Sequence, residues 1–263
     1  MTIADPFHII AHRGASAHAP ENTMAAFRLA AEMGIEEVET DVGYTRDRHL
    51  LLFHDNTLNR TTNAQGPPNA LKLDELKQLD AGSWGAEPLP DGSHEPKVCW
   101  TRDYSGERLI TLPELLDEFG ERFIYRIEIK RPAPGLVPDV IEVINERELL
   151  DRVYIYTIND LDSLLEARQI APDVKTAWSP VEELQEDGPA TVRKAAEHGI
   201  TMFVFNAQNL DAELVKLANE LGMTTRSSGI RNREQMIEAV EAGCNGMTIN
   251  WPDWLVEYVN QQS

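Results

Sequence analysis

One rhythm constrains this chain more than any other feature. Short β-branched or apolar runs alternate with helical patterns, from FHIIA (7–11) to GMTI (246–249). NTMAAFRLAAEMG (22–34) follows the first run and reads as a helix closed by Gly34. EEVETD (36–41) and LLLFH (50–54) read as strands. ERFIYRIEIK (121–130) precedes the helical GLVPDVIEVINERE (135–148), and RVYIYT (152–157) precedes DLDSLLEAR (160–168). VKTAW (174–178), TMFVF (201–205) and MTTRS (223–227) each lead into a helical stretch, and PDWLVEYVNQQ (252–262) follows GMTI. Gly34, Gly199, Gly222 and Gly243 recur where a helix ends and a strand is about to begin. Parallel strands need crossover connections of this kind. About eight such units in a chain of this length predict an α/β fold, a closed (β/α)8 TIM barrel rather than an open sheet, with residues 1–263 forming a single domain.

One region breaks the rhythm. Residues 55–110 are rich in Gly, Pro, Asn and Asp and carry a single short helical piece, LDELKQLD. They read as a small insertion after the second strand. The loops that follow barrel strands build the active site, so this insertion is a candidate lid or substrate-reading element.

Composition limits the partners. The formal net charge is -20, which argues against duplex nucleic acid and anionic membranes because both need a basic footprint. An anionic substrate would need local positive charge supplied by the site itself. No apolar run reaches the ~18–20 residues of a membrane-spanning helix, and MTIADPFHII has neither a basic start nor a long apolar segment. No secretory signal and no stable membrane anchor are therefore expected. The two cysteines, Cys99 and Cys244, read as unpaired thiols in a reducing, cytoplasmic setting.

The strand exits carry the chemistry: His12-Arg13, Glu39-x-Asp41, His54-Asp55 and Glu128-x-Lys130. Side chains two apart on a strand share a face, so Glu39 converges with Asp41 and Glu128 with Lys130. Three carboxylates without thiolates make a hard, oxygen-rich site that suits one divalent cation, Mg2+ or Ca2+. Arg13 and Lys130 add positive charge that fits phosphate oxygens. His12 and His54 add two proton carriers. Cation, cationic clamp and proton carriers together are what phosphodiester cleavage requires. PENT (20–23) reads as structural: Pro20 fixes the approach, Asn22 is the expected N-cap of a helix over 23–33, and Glu21 pins Arg13 or the loop. His8, His18, His49, His94 and His198 show no partner spacing and read as surface or core residues.

The text AHRG…APENTMAAF, EEVETDV, LLLFHDNTLNRTTN, LDELKQLDAGSW, GERLITLPELL and IEIK resembles the glycerophosphodiester phosphodiesterase family almost continuously from residue 9 to 130. The resemblance implies a TIM barrel and metal-dependent hydrolysis of a small-molecule glycerophosphodiester to glycerol 3-phosphate and an alcohol. By position, His12 and His54 match the catalytic pair, Glu39, Asp41 and Glu128 the metal ligands, and Arg13 and Lys130 the phosphate contacts. The second half departs from the pattern. Ser228-Gly229 stands where the family tends to have Trp-Thr, and Ile249-Asn250 where it usually has Thr-Asp before a proline. These changes bear on the alcohol side of the pocket, where Trp178 and Trp251 are candidate replacement walls, with core packing as the alternative. A lipid phosphodiesterase of the phospholipase D type, a non-catalytic phosphate-ligand binder and an amidohydrolase-type barrel are the rival readings. The amidohydrolase barrel would need a His-x-His at the first strand, which His12-Arg13-Gly14 does not provide.

Overall fold

Strands of a parallel sheet bury both faces, and the strands of this chain separate their residues accordingly. In the computed structural model, which describes residue 4, residues 7–84, residue 100 and residues 102–262, the chain order is β1 (His8–His12), α1 (Met24–Glu32), β2 (Glu37–Tyr44), β3 (Leu50–Leu52), α2 (Leu73–Leu76), α3 (Leu112–Phe119), β4 (Ile124–Ile129), α4 (Leu136–Asn145), β5 (Val153–Ile158), α5 (Leu161–Ile170), β6 (Lys175–Ser179), α6 (Val181–Glu186), α7 (Gly188–Glu197), β7 (Met202–Asn206), α8 (Ala212–Glu220), β8 (Thr224–Ser228), α9 (Arg233–Glu241), β9 (Gly246–Ile249) and α10 (Pro252–Gln262). Every neighbouring pair around the ring is parallel, and β1 pairs with both β2 and β9, so the barrel is closed. It is a (β/α)8 barrel in which β3 takes no part in the ring.

LLLFH is therefore not a barrel strand. Only Leu50–Leu52 is extended, and it runs antiparallel to the end of β2, with Val42 opposite Leu52 and Tyr44 opposite Leu50. It begins a small excursion with its own apolar centre of Leu51, Phe53, Leu58, Leu76, Ala81 and Leu109. A tight return at 45–49 folds the chain back, because Thr45 accepts the His49 amide hydrogen through its Oγ1. His54 consequently reaches the barrel mouth from outside the wall. His94 and Cys99 lie outside the described residues; Cys244 is free and buried.

Register fixes which side chains face inward, because directly paired residues in a parallel sheet point the same way. The outward set, with Val38, Val42, Tyr125, Ile127, Ile129, Ile155, Trp178, Phe203 and Phe205, packs under the helices as the main core. The inward set differs around the ring. At the middle of β5, β6 and β7 it is apolar: Tyr156, Ala177, Met202 and Val204 form one cluster. On β2, β4 and β8 it is charged: Glu37, Glu39, Asp41, Arg126, Glu128 and Arg226 are all buried. A barrel interior with so many charges must pair them internally or hold an ion.

α1 begins at Thr23, not at Asn22 as the sequence pattern leads one to expect. The Thr23 side chain accepts the Ala26 amide hydrogen and its hydroxyl donates to the Pro20 carbonyl at 2.6 Å. Asn22 is instead held left-handed (φ 55) and turned toward the barrel mouth. Gly14 lets the preceding loop lie on α1; a Cβ there would sit 2.6 Å from the Ala26 backbone. No helix among the described residues is long and apolar enough to cross a membrane.

Candidate active site

The C-terminal ends of β1, β2 and β4 bring the predicted residues together. Register places His12 opposite Glu39 and Asp41 opposite Glu128. Ligand oxygens of Glu39, Asp41 and Glu128 all lie within 4.8 Å of one another, and all three residues are buried. Their electrostatics show a cluster whose mutual repulsion the neighbouring cations do not fully relieve. Burial and the neighbouring charges of Asp41 and Glu128 push Glu39 well above the usual carboxylate range. Burial and Asp41 push Glu128 up as well. Asp41 goes the other way, to about 2, because Arg13, His54 and Lys130 outweigh its burial. Asp41 Oδ1 is buried and receives no hydrogen bond, with Lys130 Nζ 3.9 Å away. Unrelieved repulsion, an orphaned oxygen and an all-carboxylate donor set fit a hard divalent cation.

Cations flank this cluster on two sides. Arg13 adopts a left-handed backbone (φ 56), a conformation that costs a non-glycine residue about 1 kcal/mol. It thereby turns inward, with Nε 3.2 Å from Asp41 Oδ2 and Nη1 donating to Glu21 Oε1 at 2.8 Å. Lys130 donates to Glu128 Oε1 at 3.0 Å, and the two carboxylates raise its pKa despite burial. Asn22 completes the support of Asp41: its Nδ2 donates to Asp41 Oδ2 at 2.8 Å while its Oδ1 accepts from the Thr40 hydroxyl.

The two imidazoles have different backing. His12 Nδ1 lies 2.5 Å from Asn250 Oδ1, and its Nε2 lies 3.7 Å from Glu39 Oε2. Burial and the Arg13 charge hold this ring well below its ordinary pKa, in the neutral form. His54 Nδ1 lies 2.6 Å from Asp55 Oδ1. Arg60 grips Asp55 through Nε and Nη2 at 2.7 and 2.9 Å, and reaches Glu21 through Nη1 and Nη2 at 2.7 Å each. Glu21, His54 and Asp55 also cluster within 4.8 Å. Guanidinium groups already fill that cluster, so it is not a second cation site. Arg131 fixes the backbone beneath His54 by donating to the carbonyls of Phe53, His54 and Asp55. Gly43 makes room for it, since a Cβ there would sit 2.9 Å from Arg131 Nη2.

Asn22, Asp55, Arg60, Arg131 and Asn250 thus belong to the site without having been assigned there from sequence. The His-Asp dipeptide was a usable signal for Asp55. Asn250 was visible only as a departure from a family pattern. Neither Trp178 nor Trp251 walls the mouth. Trp178 points outward into the main core, and Trp251 is 3% exposed and stacked on Trp254 with ring centroids 4.4 Å apart. The inward positions at the far rim are Ile158, Ser179, Asn206 and Ser228, with Ile158 exposed at 41%. Three histidines read as unpartnered do have partners: His8 meets Glu37 at 2.5 Å, His18 meets Asp253 at 2.9 Å and His49 meets Asp47 at 3.5 Å.

The model of the glycerophosphoryl diester phosphodiesterase family matches residues 12–254. The chain belongs to this family. It is 32% identical over 257 residues to a glycerophosphodiester phosphodiesterase of Caldanaerobacter subterraneus subsp. tengcongensis, covering 96% of this chain and 98% of that one. A Bacillus subtilis (strain 168) glycerophosphodiester phosphodiesterase is 31% identical over 93% of this chain and 83% of its own length. Among solved structures, an Oleispira antarctica phosphodiesterase in complex with its product sn-glycerol-3-phosphate superposes with a TM-score of 0.78 at 25% identity, covering 95% of this chain and 96% of that one. The chain is accordingly a phosphodiesterase of the family, and its barrel is the fold of that family's structures.

Proposed function

We propose that this barrel hydrolyses glycerophosphodiesters to glycerol 3-phosphate and an alcohol at the mouth formed by β1, β2 and β4. One observation carries the reading: three buried carboxylates converge with an orphaned oxygen between them, flanked by two imidazoles and two cations. A cation held by Glu39, Asp41 and Glu128, Mg2+ or Ca2+, would neutralise charge on a phosphoryl oxygen. Arg13 and Lys130 point at the same place and would hold the phosphodiester anion. A hydroxyl gives its proton to His12 as its oxygen bonds to phosphorus; a water's yields glycerol 3-phosphate directly, whereas the substrate's own yields a cyclic phosphate that a water then opens with the two rings exchanging roles. The bond from phosphorus to the alcohol oxygen breaks with its electron pair, and that oxygen takes a proton from His54. Glu21, Arg60 and Asp55 keep the two halves of this machinery in register by linking Arg13 to His54.

Three of the four inward rim positions, Ser179, Asn206 and Ser228, are polar and only Ile158 is apolar, which supports a small-molecule headgroup on the alcohol side in preference to an acyl chain. The free, buried Cys244 supports a reducing, cytoplasmic setting. The test is a panel of glycerophosphodiesters with coupled detection of glycerol 3-phosphate. Release of glycerol 3-phosphate is the expected result. Ligand binding without turnover of any diester would replace the enzyme reading with a phosphate-ligand binder.

A further inference from the structure

We propose that Asn250 is a positioning residue that locks His12 in one tautomer and so makes its Nε2 the proton-accepting atom of the site. The inference rests on the phosphodiesterase reading above and deepens it. Asn250 follows β9, the strand that closes the barrel onto β1, and Ile249 pairs with Ala11 one residue before. This closure brings together two side chains 238 positions apart in the chain, with His12 Nδ1 and Asn250 Oδ1 2.5 Å apart. The Asn250 backbone is fixed as well, since its carbonyl accepts the Ala17 amide hydrogen at 3.1 Å. An amide oxygen accepts and cannot donate, so Nδ1 must carry the ring hydrogen. In the neutral ring the lone pair then sits on Nε2, the nitrogen that faces Glu39 at 3.7 Å.

The second imidazole sets the contrast. His54 Nδ1 is backed by a carboxylate, Asp55 at 2.6 Å, and Arg60 keeps that carboxylate ionised by pairing with both of its oxygens. Both acceptors hold a hydrogen on Nδ1, and only the one behind His54 is charged, which makes the stronger hydrogen bond of the two. The two backing residues therefore distinguish rings that the sequence leaves interchangeable. Had Asn250 presented its Nδ2 to His12, the ring hydrogen would lie on Nε2, which could then no longer accept a proton.

The test compares Asn250→Ala, Asn250→Asp and Asp55→Asn on two glycerophosphodiesters, one with a simple alkyl alcohol and one with p-nitrophenol. The p-nitrophenolate leaves without needing a proton. Asn250→Ala should lower kcat about 10- to 100-fold on both substrates with little change in KM, the scale for losing a residue that orients a functional group. Asn250→Asp, which keeps the acceptor oxygen, should recover most of the loss. Asp55→Asn should be slow on the alkyl ester and recover on the p-nitrophenyl ester. Nitrogen-15 NMR of the wild-type ring should find the hydrogen on Nδ1 of His12, and Asn250→Ala should give a mixture of tautomers. Hydrogen on Nε2 in the wild type would overturn the proposal, whatever the activity. So would full activity of Asn250→Ala beside an inactive His12→Ala, or a loss in Asn250→Ala that vanishes with p-nitrophenol. Failure of the wild type on every diester would instead remove the underlying function, and the NMR result would still decide the tautomer.

Discussion

Glu37 and Glu39 stand two residues apart on β2, face the same barrel interior and are both buried, yet the barrel treats them oppositely. Glu37 belongs to a matched floor. His8 and Arg126 each take one of its carboxylate oxygens, and they hold its pKa down in spite of burial. Arg126 lies 3.6 Å over the Tyr154 ring, while Arg226 lies 4.3 Å over Tyr156 and donates to the Thr248 hydroxyl. Glu39 belongs to an unmatched ceiling, where burial and two neighbouring carboxylates push it up. One residue type on one strand thus serves two ends. Where a guanidinium answers the charge, the group holds the fold together. Where other carboxylates surround it, the group is poised for a cation. Arg226 lies between floor and ceiling, and its charge acts on both Glu37 and Glu39.

The sharpest way to break this comparison is to remove the metal. Excess chelator should abolish turnover, and Mg2+ or Ca2+ should restore it; an assay retaining full activity under chelation would erase the distinction between ceiling and floor. Asp41→Asn and Glu128→Gln should each lower kcat/KM by at least ~10²-fold, the scale of losing electrostatic stabilisation at a reacting centre. His12→Ala and His54→Ala should each cost at least ~10²-fold in kcat, as for removal of a general acid or base. Glu37→Gln should do the reverse. It leaves Arg126 buried without its counter-charge, which costs about 3–5 kcal/mol of stability, while the folded fraction should turn over normally. Denaturant unfolding beside activity measurements reads both halves of that contrast.

The smallest effect lies in the pH dependence of stability, and its sign separates the two layers. Glu37 is held below its ordinary 4.5, so its contribution is present above pH 4.5 and is lost as pH falls through the depressed value. Glu39 in the metal-free protein is raised above 4.5, so stability is greatest below pH 4.5 and declines as pH rises through the raised value. Each unit of displacement corresponds to about 1.4 kcal/mol. Glu39→Gln should flatten the second slope and raise the melting temperature of the metal-free protein. A lower melting temperature in that variant would show that Glu39 is structural after all.

The barrel and the convergence of the carboxylates are legible in the sequence for the same reason. Period-two alternation in EVETD sets Glu39 and Asp41 on one face, and the strand–helix rhythm sets β2 beside β4. β3 is legible as a strand but not as one outside the barrel wall, because a short apolar run carries no sign of direction and LLL reads alike in a barrel strand and in an antiparallel return. The helix cap lies at Thr23, one residue later than the pattern suggests, because Asn22 and Thr23 are both good capping residues. The deciding interactions, from Asn22 to Asp41 and Thr40, are tertiary. The link from His12 to Asn250 had no local signature at all, since closure of the ring creates it.

Diffraction from crystals soaked in Mn2+, a cation that shares the oxygen-ligand preference of Mg2+ and Ca2+, tests the convergence of the three carboxylates most directly. The account predicts a single strong anomalous peak at the barrel mouth, about 2.0–2.6 Å from oxygens of Glu39, Asp41 and Glu128. A peak coordinated elsewhere, or none between these three residues at saturating Mn2+, would contradict it.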